Sequence, residues 1–282
     1  MTAGAGRVLI VSGDDFGLTE GVSNGIVQAH DRGIVTATSV LALGPAFDAT
    51  VPLLLSRPAL DVGVHLAVVG EDPALLSPGA VPTLVDGSGQ LAGSWRVFLR
   101  RALAGRVDVG QVRAEFAAQI GRVLETGLHP SHLDTHQHLH LWPPLATLLC
   151  DLATEHHIAA VRLPTGTTGW RRVGLAPLTA ALRRKALRAG VVTPGRSVGL
   201  EEAGHLDAAR LVGLIEAAGR TTAHAVELVC HPGADPDPSR ARYRWGYGWP
   251  GELDALCARS VREAVGANGF TLGGFRDLGG AL

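Results

Sequence analysis

The sequence predicts an α/β fold: a single (β/α) barrel, TIM-like in complete or irregular form, with about seven strands over residues 1–282. Short apolar runs rich in β-branched residues alternate with segments of helical periodicity along most of the chain. No internal repeat or linker divides it, and 46% hydrophobic content in 282 residues is enough for one large core. Polar or ionisable residues follow five of the apolar runs, which is where such barrels place their chemistry.

The first part of the chain has the order β-α-β-α-β. The predicted strands are residues 7–11, 36–43 and 61–66, and the predicted helices are residues 20–32 and 46–56. Gly33 follows the first helix, where a left-handed C-cap belongs. The polar residues 12–17 are predicted as a loop after the first strand.

The same alternation continues in the second part of the chain, with two interruptions. Residues 69–108, rich in Pro, Gly and Asp, are predicted as an insertion with one helix near 95–104, and residues 165–206 as a second insertion. Between and after them we expect helices at 109–125 and 144–157, and strands at the histidine-rich segment, 160–163, 226–230 and 270–274. The predicted domain is therefore one barrel with two insertions.

Composition excludes several classes of partner. The net charge is −1, and no basic run extends beyond residues 183–185, so nucleic acid is not an expected partner. The start of the chain lacks a secretory signal, and no apolar run is long enough for a membrane span. Three scattered cysteines without a C-x-x-C pair fit a reducing compartment, which predicts a cytoplasmic protein.

Residues 132–140 carry four histidines and one aspartate, all at even-numbered positions. In an extended strand these side chains project to one face: His132, Asp134, His136, His138 and His140. Neighbours on one face lie about 6.6 Å apart along a strand, so a single ion can engage two of them at most. Because the strand should end near His136, His136 and His138 are the best-placed metal ligands, and others must come from elsewhere. The alternative is a set of buried histidines that satisfy one another.

Asp14 and Asp15 are the natural partners of the histidines. Adjacent carboxylates at the end of a buried strand repel, unless a metal relieves one and a catalytic proton occupies the other. An Asp pair before Phe-Gly also suits a turn and a helix N-cap. His65 ends an apolar strand, a place typical of either a core histidine or a ligand.

Further candidates follow later strands. His231 lies in Cys-His-Pro-Gly, where a forced turn holds it for general acid work. Arg162 could hold a carboxylate or polarise a carbonyl, or be an ordinary surface arginine. Tyr247 and Trp249 belong to an aromatic cluster at residues 243–249, which predicts a sugar-stacking loop, a packed lid or an oligomer contact.

Six segments, in order along nearly the whole chain, resemble the YdjC-like carbohydrate deacetylases. They are residues 12–17 (SGDDFG), 33–39 (GIVTATS), 63–66 (GVHL), 132–140 (HLDTHQHLH), 161–164 (VRLP) and 230–233 (CHPG). The family commonly has Asn-Ala where this chain has Ser12 and Gly13, a change that leaves both carboxylates in place.

The resemblance implies a metal-dependent (β/α)-barrel enzyme that removes the acetyl group from an N-acetylated amino sugar, such as an N-acetylglucosamine-containing oligosaccharide or glycoconjugate. By the family's motif, Asp15, His65 and His136 hold one divalent metal ion, while Asp14 is the catalytic base and His231 the general acid. Asp134 is expected to accept the second ring proton of His136. Zinc suits this ligation, and magnesium or manganese fits if waters complete the shell. The resemblance also suggests a homodimer.

Two other functions are consistent with the residues. One is a different metal-dependent hydrolase on the same barrel, acting on an amide, a lactam or a phosphate ester. The other is a carbohydrate-binding protein without catalytic activity. Substrate profiling of metal-loaded protein and of an Asp14→Asn variant separates them.

Overall fold

The structure is a computed structural model that describes residues 6–165 and 169–281. Within these ranges the strands are β1 (Arg7–Phe16), β2 (Ala37–Val40), β3 (Asp61–Leu66), β4 (His132–Thr135), β5 (Ala160–Val161), β6 (Arg196–Val198), β7 (Ala225–Cys230) and β8 (Phe270–Gly273). The helices there are α1 (Glu20–Arg32), α2 (Phe47–Leu55), α3 (Trp95–Leu103), α4 (Val109–Glu125), α5 (Pro143–Glu155), α6 (Gly169–Arg188), α7 (Ala208–Gly219), α8 (Trp249–Cys257) and α9 (Arg259–Ala267). None of these described helices is long and apolar enough to cross a bilayer.

All pairings between the named strands are parallel, and the sheet runs in the order β5-β4-β3-β2-β1-β7-β6. The start of β1 pairs with β8 and its end pairs with β2. Val192, which precedes β6 in the chain, lies beside the outer strand β5. Its backbone N–H donates to Ala159 O, and its carbonyl oxygen accepts from the N–H of Val161. The Ser197 hydroxyl of β6 completes the link by donating to Leu163 O at 2.8 Å. The predicted (β/α) barrel is confirmed in irregular form.

The second predicted insertion needs correction. Residues 165–206 contain α6 and β6, and β6 pairs with β7 as a strand of the barrel. With three residues, β6 is too short to show a period in the sequence. Residues 166–168 of this segment and residues 1–5, on which the absence of a secretory signal was argued, lie outside the described residues. The first insertion does carry its helix, α3.

The barrel interior has an apolar end and a polar end. Ile10, Ala37 and Ala160 form a buried cluster with Phe275 and Leu278, which come from a 3-10 segment after β8. Further along the same inward-facing positions the residues become polar, as the alternation Ile10, Ser12, Asp14 in β1 shows. The outward faces of the strands pack on the helices. The C-terminal segment therefore closes one end of the barrel, and the ionisable residues collect at the other.

Candidate metal and catalytic site

A β-bulge at the end of β1 presents Asp14 and Asp15 to the same site. β1 does not stop at Val11 as predicted but continues to Phe16, with Gly13 paired to Thr38 and Phe16 to Val40. Two aspartates therefore oppose the single residue Ser39. Asp15 has a left-handed backbone, with φ of 69°. In a regular strand neighbouring side chains point to opposite faces, and the bulge re-aims one of them.

Asp15, His65 and His136 bring three ligand atoms together. Asp15 Oδ1 lies 3.5 Å from His65 Nε2 and 3.3 Å from His136 Nδ1, and the two imidazole nitrogens are 3.3 Å apart. Two bonds of about 2.1 Å at a tetrahedral angle place their outer atoms roughly 3.4 Å apart. The triangle therefore has the size of a ligand set around one divalent ion.

The chemistry of these three groups also fits a cation. Asp15 Oδ1 is buried and has no hydrogen-bond partner among the described residues. Burial opposes charge on His65, but Asp134, Asp14 and Asp15 raise its pKa to about 9. Burial likewise opposes charge on Asp15, yet the nearby histidines, His136 first, lower its pKa. Positive charge is favoured at this point, and the residues present suit one divalent ion.

Asp134 supports a different histidine from the one predicted. Its carboxylate lies 2.9 Å from His65 Nδ1, whose other nitrogen faces Asp15. The cause is the register of the sheet, because His65 of β3 is directly opposite Asp134 of β4. A carboxylate that accepts one ring proton leaves the opposite nitrogen free to bind a metal. Asp134 thus orients His65 rather than His136.

The histidine stripe is shorter than the sequence suggested. β4 ends at Thr135, and residues 136–141 form a 3-10 turn in which Gln137 and His138 have left-handed φ values of 54° and 55°. The shared face therefore holds only for His132 and Asp134 within the strand. His138 is not in the Asp15 group, and burial lowers its pKa well below the usual value. His140 turns back to Thr135, with Nδ1 2.7 Å from Oγ1.

Arg162 is the centre of the polar interior rather than a surface residue. It is fully buried, and its Nη1 and Nη2 each donate to an oxygen of Asp14 at 2.6 Å. Nη1 also contacts Asp134, Nη2 donates to Ser12 Oγ at 3.2 Å, and Nε donates to Glu227 Oε1 at 2.7 Å. The guanidinium thus uses its five N–H groups on four residues and holds the Asp14 carboxylate in one orientation.

Glu227 was missed in the sequence. It lies in the apolar strand β7, where a single glutamate among valines and leucines was the signal for a buried charged or neutral acid.

His231 follows β7 next to the aspartate pair, because Cys230 pairs with Gly13. Its backbone N–H donates to Glu252 Oε2 at 2.6 Å, and its ring is edge-on to Tyr247 at 5.0 Å. Nδ1 has no hydrogen-bond partner among the described residues. The turn therefore holds an imidazole beside the aspartate pair, with its buried Nδ1 lacking a hydrogen-bond partner in the described part of the chain.

The aromatic cluster contributes Trp245 to the site in addition to Tyr247, which the sequence indicated. Trp245 is half-buried, its ring lies 5.5 Å from that of His136, and its Nε1 donates to Glu71 at 2.9 Å. Tyr247 is also half-buried, whereas Trp249 is buried at the start of α8. Because the Trp249 side chain is buried at the start of α8, little of its ring face is free for a sugar.

Comparisons with known proteins agree over nearly the full length. A model of the YdjC-like protein family matches residues 8–267. A chitooligosaccharide deacetylase of Klebsiella pneumoniae is 32% identical over 273 residues, covering 96% of this chain and 99% of the relative. A chitooligosaccharide deacetylase of Serratia marcescens is 29% identical with the same coverage.

Solved structures show the same fold. A protein of Enterococcus faecalis named for cellobiose-phosphate cleavage superposes with a TM-score of 0.82 at 25% identity, covering 97% of this chain and 99% of that chain. An uncharacterised protein of Agrobacterium tumefaciens, 12% identical with a TM-score of 0.53, shares the fold alone. From the family match and the full-length relatives, the chain belongs to the YdjC-like family.

Proposed function

We propose that this protein is a carbohydrate deacetylase that removes the acetyl group from an N-acetylated amino sugar with the help of one divalent metal ion. The observation that carries the proposal is the Asp15, His65 and His136 triangle beside an Asp14 carboxylate held by Arg162. The full-length relatives named chitooligosaccharide deacetylases support the substrate class. Zinc is the first candidate ion for this donor set, and magnesium the second.

Amide hydrolysis needs an activated water, a stabilised oxyanion and a protonated leaving nitrogen. When bound, a divalent ion polarises the acetyl carbonyl and lowers the pKa of water. Asp14 is the base of the proposal, because its two oxygens are oriented by Arg162 and each retains a lone pair for a water proton. This carboxylate is buried, so it is protected from competing solvent contacts.

The remaining steps fall to residues on the other loops. His231 is the proposed donor of a proton to the departing amine, because the turn after β7 holds its imidazole next to the aspartate pair and Tyr247. Trp245 and Tyr247 offer aromatic surface to the sugar ring next to His136 and His231. A sugar stacked on the free faces of these rings keeps its acetyl group over the aspartate pair.

The test is acetate release from N-acetylglucosamine oligosaccharides by purified protein, with zinc, magnesium and manganese supplied separately. We expect Asp14→Asn to keep the bound metal but lower kcat about 10²- to 10⁴-fold, as loss of a general base does. His136→Ala should lose both metal and activity. Asp48→Asn, at an exposed carboxylate of α2 paired with Arg122, is the control and should leave activity unchanged. Wild-type protein that holds metal but releases no acetate from any of these sugars contradicts the proposal.

A second activity deserves a parallel assay because of the Enterococcus structure. That relative is named for cleavage of a phosphorylated disaccharide. The site here has the carboxylates Asp14 and Asp134 on one buried arginine and Asp15 beside them, which disfavours an added phosphate charge. Incubation with a phosphorylated disaccharide should therefore release neither phosphate nor monosaccharide, and release of either product would favour the alternative.

A further inference from the structure

Glu227 is linked to the proposed catalytic base, Asp14, through one intervening side chain, that of Arg162. Its side chain is fully buried in β7, and Oε1 accepts the Nε–H of Arg162 at 2.7 Å. The two terminal nitrogens of the same guanidinium hold Asp14. Since the guanidinium is planar, an acceptor at Nε sets the plane in which the terminal nitrogens meet Asp14.

The contacts around the other oxygen of Glu227 indicate whether this side chain is protonated. Ser197 Oγ lies 2.9 Å from Glu227 Oε2 and 2.8 Å from the carbonyl oxygen of Leu163. A hydroxyl has one proton, and a carbonyl oxygen can only accept. Both short contacts contain a proton if Ser197 donates to Leu163 and Glu227 donates to Ser197. An ionised Glu227 would leave one of the two contacts without a proton.

The charges around Glu227 favour the same protonation state. Arg162 is the cation in contact with it, and that cation already faces the carboxylates Asp14 of β1 and Asp134 of β4. These two carboxylates already outnumber the single positive charge of the guanidinium, so a third buried negative charge there would be uncompensated. Burial, with Asp14 and Asp134 adding to it, raises the pKa of Glu227 to about 7 in spite of Arg162.

We propose that Glu227 is held as a neutral carboxylic acid between Arg162 and Ser197, and that it acts as a positioning residue for Asp14. Its catalytic consequence rests on the proposed deacetylase function, whereas its protonation state does not. The acid accepts from Arg162 at one oxygen and donates to Ser197 at the other. Arg162 is thereby fixed without a further negative charge in the barrel.

Kinetics of two variants test the positioning role. Glu227→Gln keeps the pattern, with its carbonyl on Arg162 and its amide N–H on Ser197, so kcat and KM should stay within about twofold of wild type. Glu227→Leu removes the acceptor at Arg162 and should lower kcat about 10- to 100-fold, the usual loss for a residue that orients a functional group. KM should change little, because Glu227 is in the closed interior. Equal loss in both variants, or no loss in Glu227→Leu, overturns the proposal.

Infrared spectroscopy tests the protonation state without any substrate. At pH 6 the wild-type minus Glu227→Gln difference spectrum should contain the C=O stretch of a protonated carboxylic acid. A carboxylate band in its place overturns the proposal. Because this measurement needs neither turnover nor metal, it distinguishes failure of the Glu227 proposal from failure of the proposed function, and it does not depend on whether Glu227→Leu folds.

The pH dependence of stability is a third test of the protonation state. An acid whose pKa is about 7 when folded and 4.5 in the free side chain contributes stability in full below the lower value, and that stability is lost as the pH rises through the upper one. The Tm of the wild type should therefore fall relative to that of Glu227→Gln between about pH 5 and about pH 8.

Glu115→Gln is the control for the amide. The buried Glu115 carboxylate accepts from the backbone N–H groups of Leu75 and Leu76 and from Gln119 Nε2. An amide at this position would therefore place its own N–H group against another N–H donor. We expect Glu115→Gln to lower Tm throughout the range, whereas Glu227→Gln is tolerated. A Tm difference between wild type and Glu227→Gln that stays flat across this range overturns the proposal.

Discussion

At the scale of single residues, Arg162 explains why three acidic side chains can share a closed interior. Its guanidinium reaches Asp14, Asp134 and Glu227 together. Burial opposes its charge, but the carboxylates of Asp134 and Asp14 outweigh this and raise its pKa. In the sequence, Arg162 was equally compatible with a surface position. Nothing in the local pattern Val-Arg-Leu-Pro distinguishes a buried arginine, because its partners lie on three other strands.

Arg162→Lys should be strongly destabilising although it keeps the charge. Lysine has three donors at one nitrogen where arginine has five in a fixed fork, so the buried carboxylates lose partners. We expect the free energy of unfolding to fall by about 3 kcal/mol, as for other broken buried ion pairs, and acetate release to be lost. Chemical denaturation monitored by circular dichroism measures the first effect.

Arg113→Lys is the matched control for that substitution. Arg113 pairs with Glu155 at the surface, where the two side chains are 44% and 51% exposed. The change in unfolding free energy there should stay below about 0.5 kcal/mol, because exposed ion pairs contribute little. Similar effects at the two positions would contradict the account of Arg162 as a buried hub.

At the scale of elements, the ends of the strands place the site. The bulge in β1 turns both aspartates inward, the left-handed residues after β4 redirect the chain past His136, and the turn after β7 carries His231. Helices were predicted well because their periodicity is local: α1 and α4 have the predicted bounds. Strand ends were predicted less well, because bulges and 3-10 turns depend on neighbours in the sheet.

Gly25→Ala should disturb the turn that carries His231. A Cβ at Gly25 of α1 would lie 2.3 Å from Gly233 Cα and 2.7 Å from Ala234 N, so α1 or the turn must move. We expect a loss of about 1–3 kcal/mol in unfolding free energy, the usual cost of overpacking, with a lower kcat. Thermal denaturation and acetate release measure the two effects.

Gly121→Ala in α4 is the control, since nothing lies within 4 Å of a Cβ there. This substitution should stabilise the protein by up to about 1 kcal/mol through helix propensity. A loss of stability at Gly121 comparable with that at Gly25 would show that the effect is not due to contact with the turn.

At the scale of the whole molecule, the C-terminal segment closes the end of the barrel opposite the site. Phe275 stacks on His132 with ring centroids 3.7 Å apart, and Arg276 donates to Asp61 of β3. Burial lowers the pKa of His132 to about 4, so the ring is neutral in the folded protein. This histidine of the stripe is therefore part of the closure and not of the metal group. The homodimer and the cytoplasmic location stay predictions, of which sedimentation equilibrium checks the first.

Acid should destabilise the wild type through His132. Its pKa is about 4 in the folded protein and 6.5 in the free side chain. Between these two pH values the unfolded chain is protonated at this side chain, whereas the folded protein is not. The contribution to stability is present above pH 6.5 and is lost as the pH falls towards 4. Between pH 7 and pH 5 the loss should be about 2 kcal/mol.

Denaturation of wild type and of His132→Gln at both pH values measures this contribution, because other titrating groups are common to the two proteins. His129→Gln, at an exposed histidine, is the control and should follow the wild type. If His132→Gln and wild type lose stability in parallel, the neutral buried histidine is not responsible.

The sequence by itself determined the fold class, most helices and most of the residues from which the site is built. Apolar runs and helical periods are local, and polar residues after strands point to one end of a barrel whatever the details of packing. Asp15, His65 and His136 could thus be grouped from distant parts of the chain with the help of a family resemblance. The structure brings these same three together, while His138 is placed apart.

Only the tertiary structure decided how these residues are connected. The register of β3 against β4 pairs Asp134 with His65. The bulge in β1 directs Asp14 to Arg162 and Asp15 to the histidines, and closure of the barrel brings Arg162, with Glu227, to Asp14. Such pairings depend on contacts between residues far apart in sequence, in an interior where each buried charge must find a partner. A local pattern shows that a partner is needed, and the folded barrel determines which residue it is.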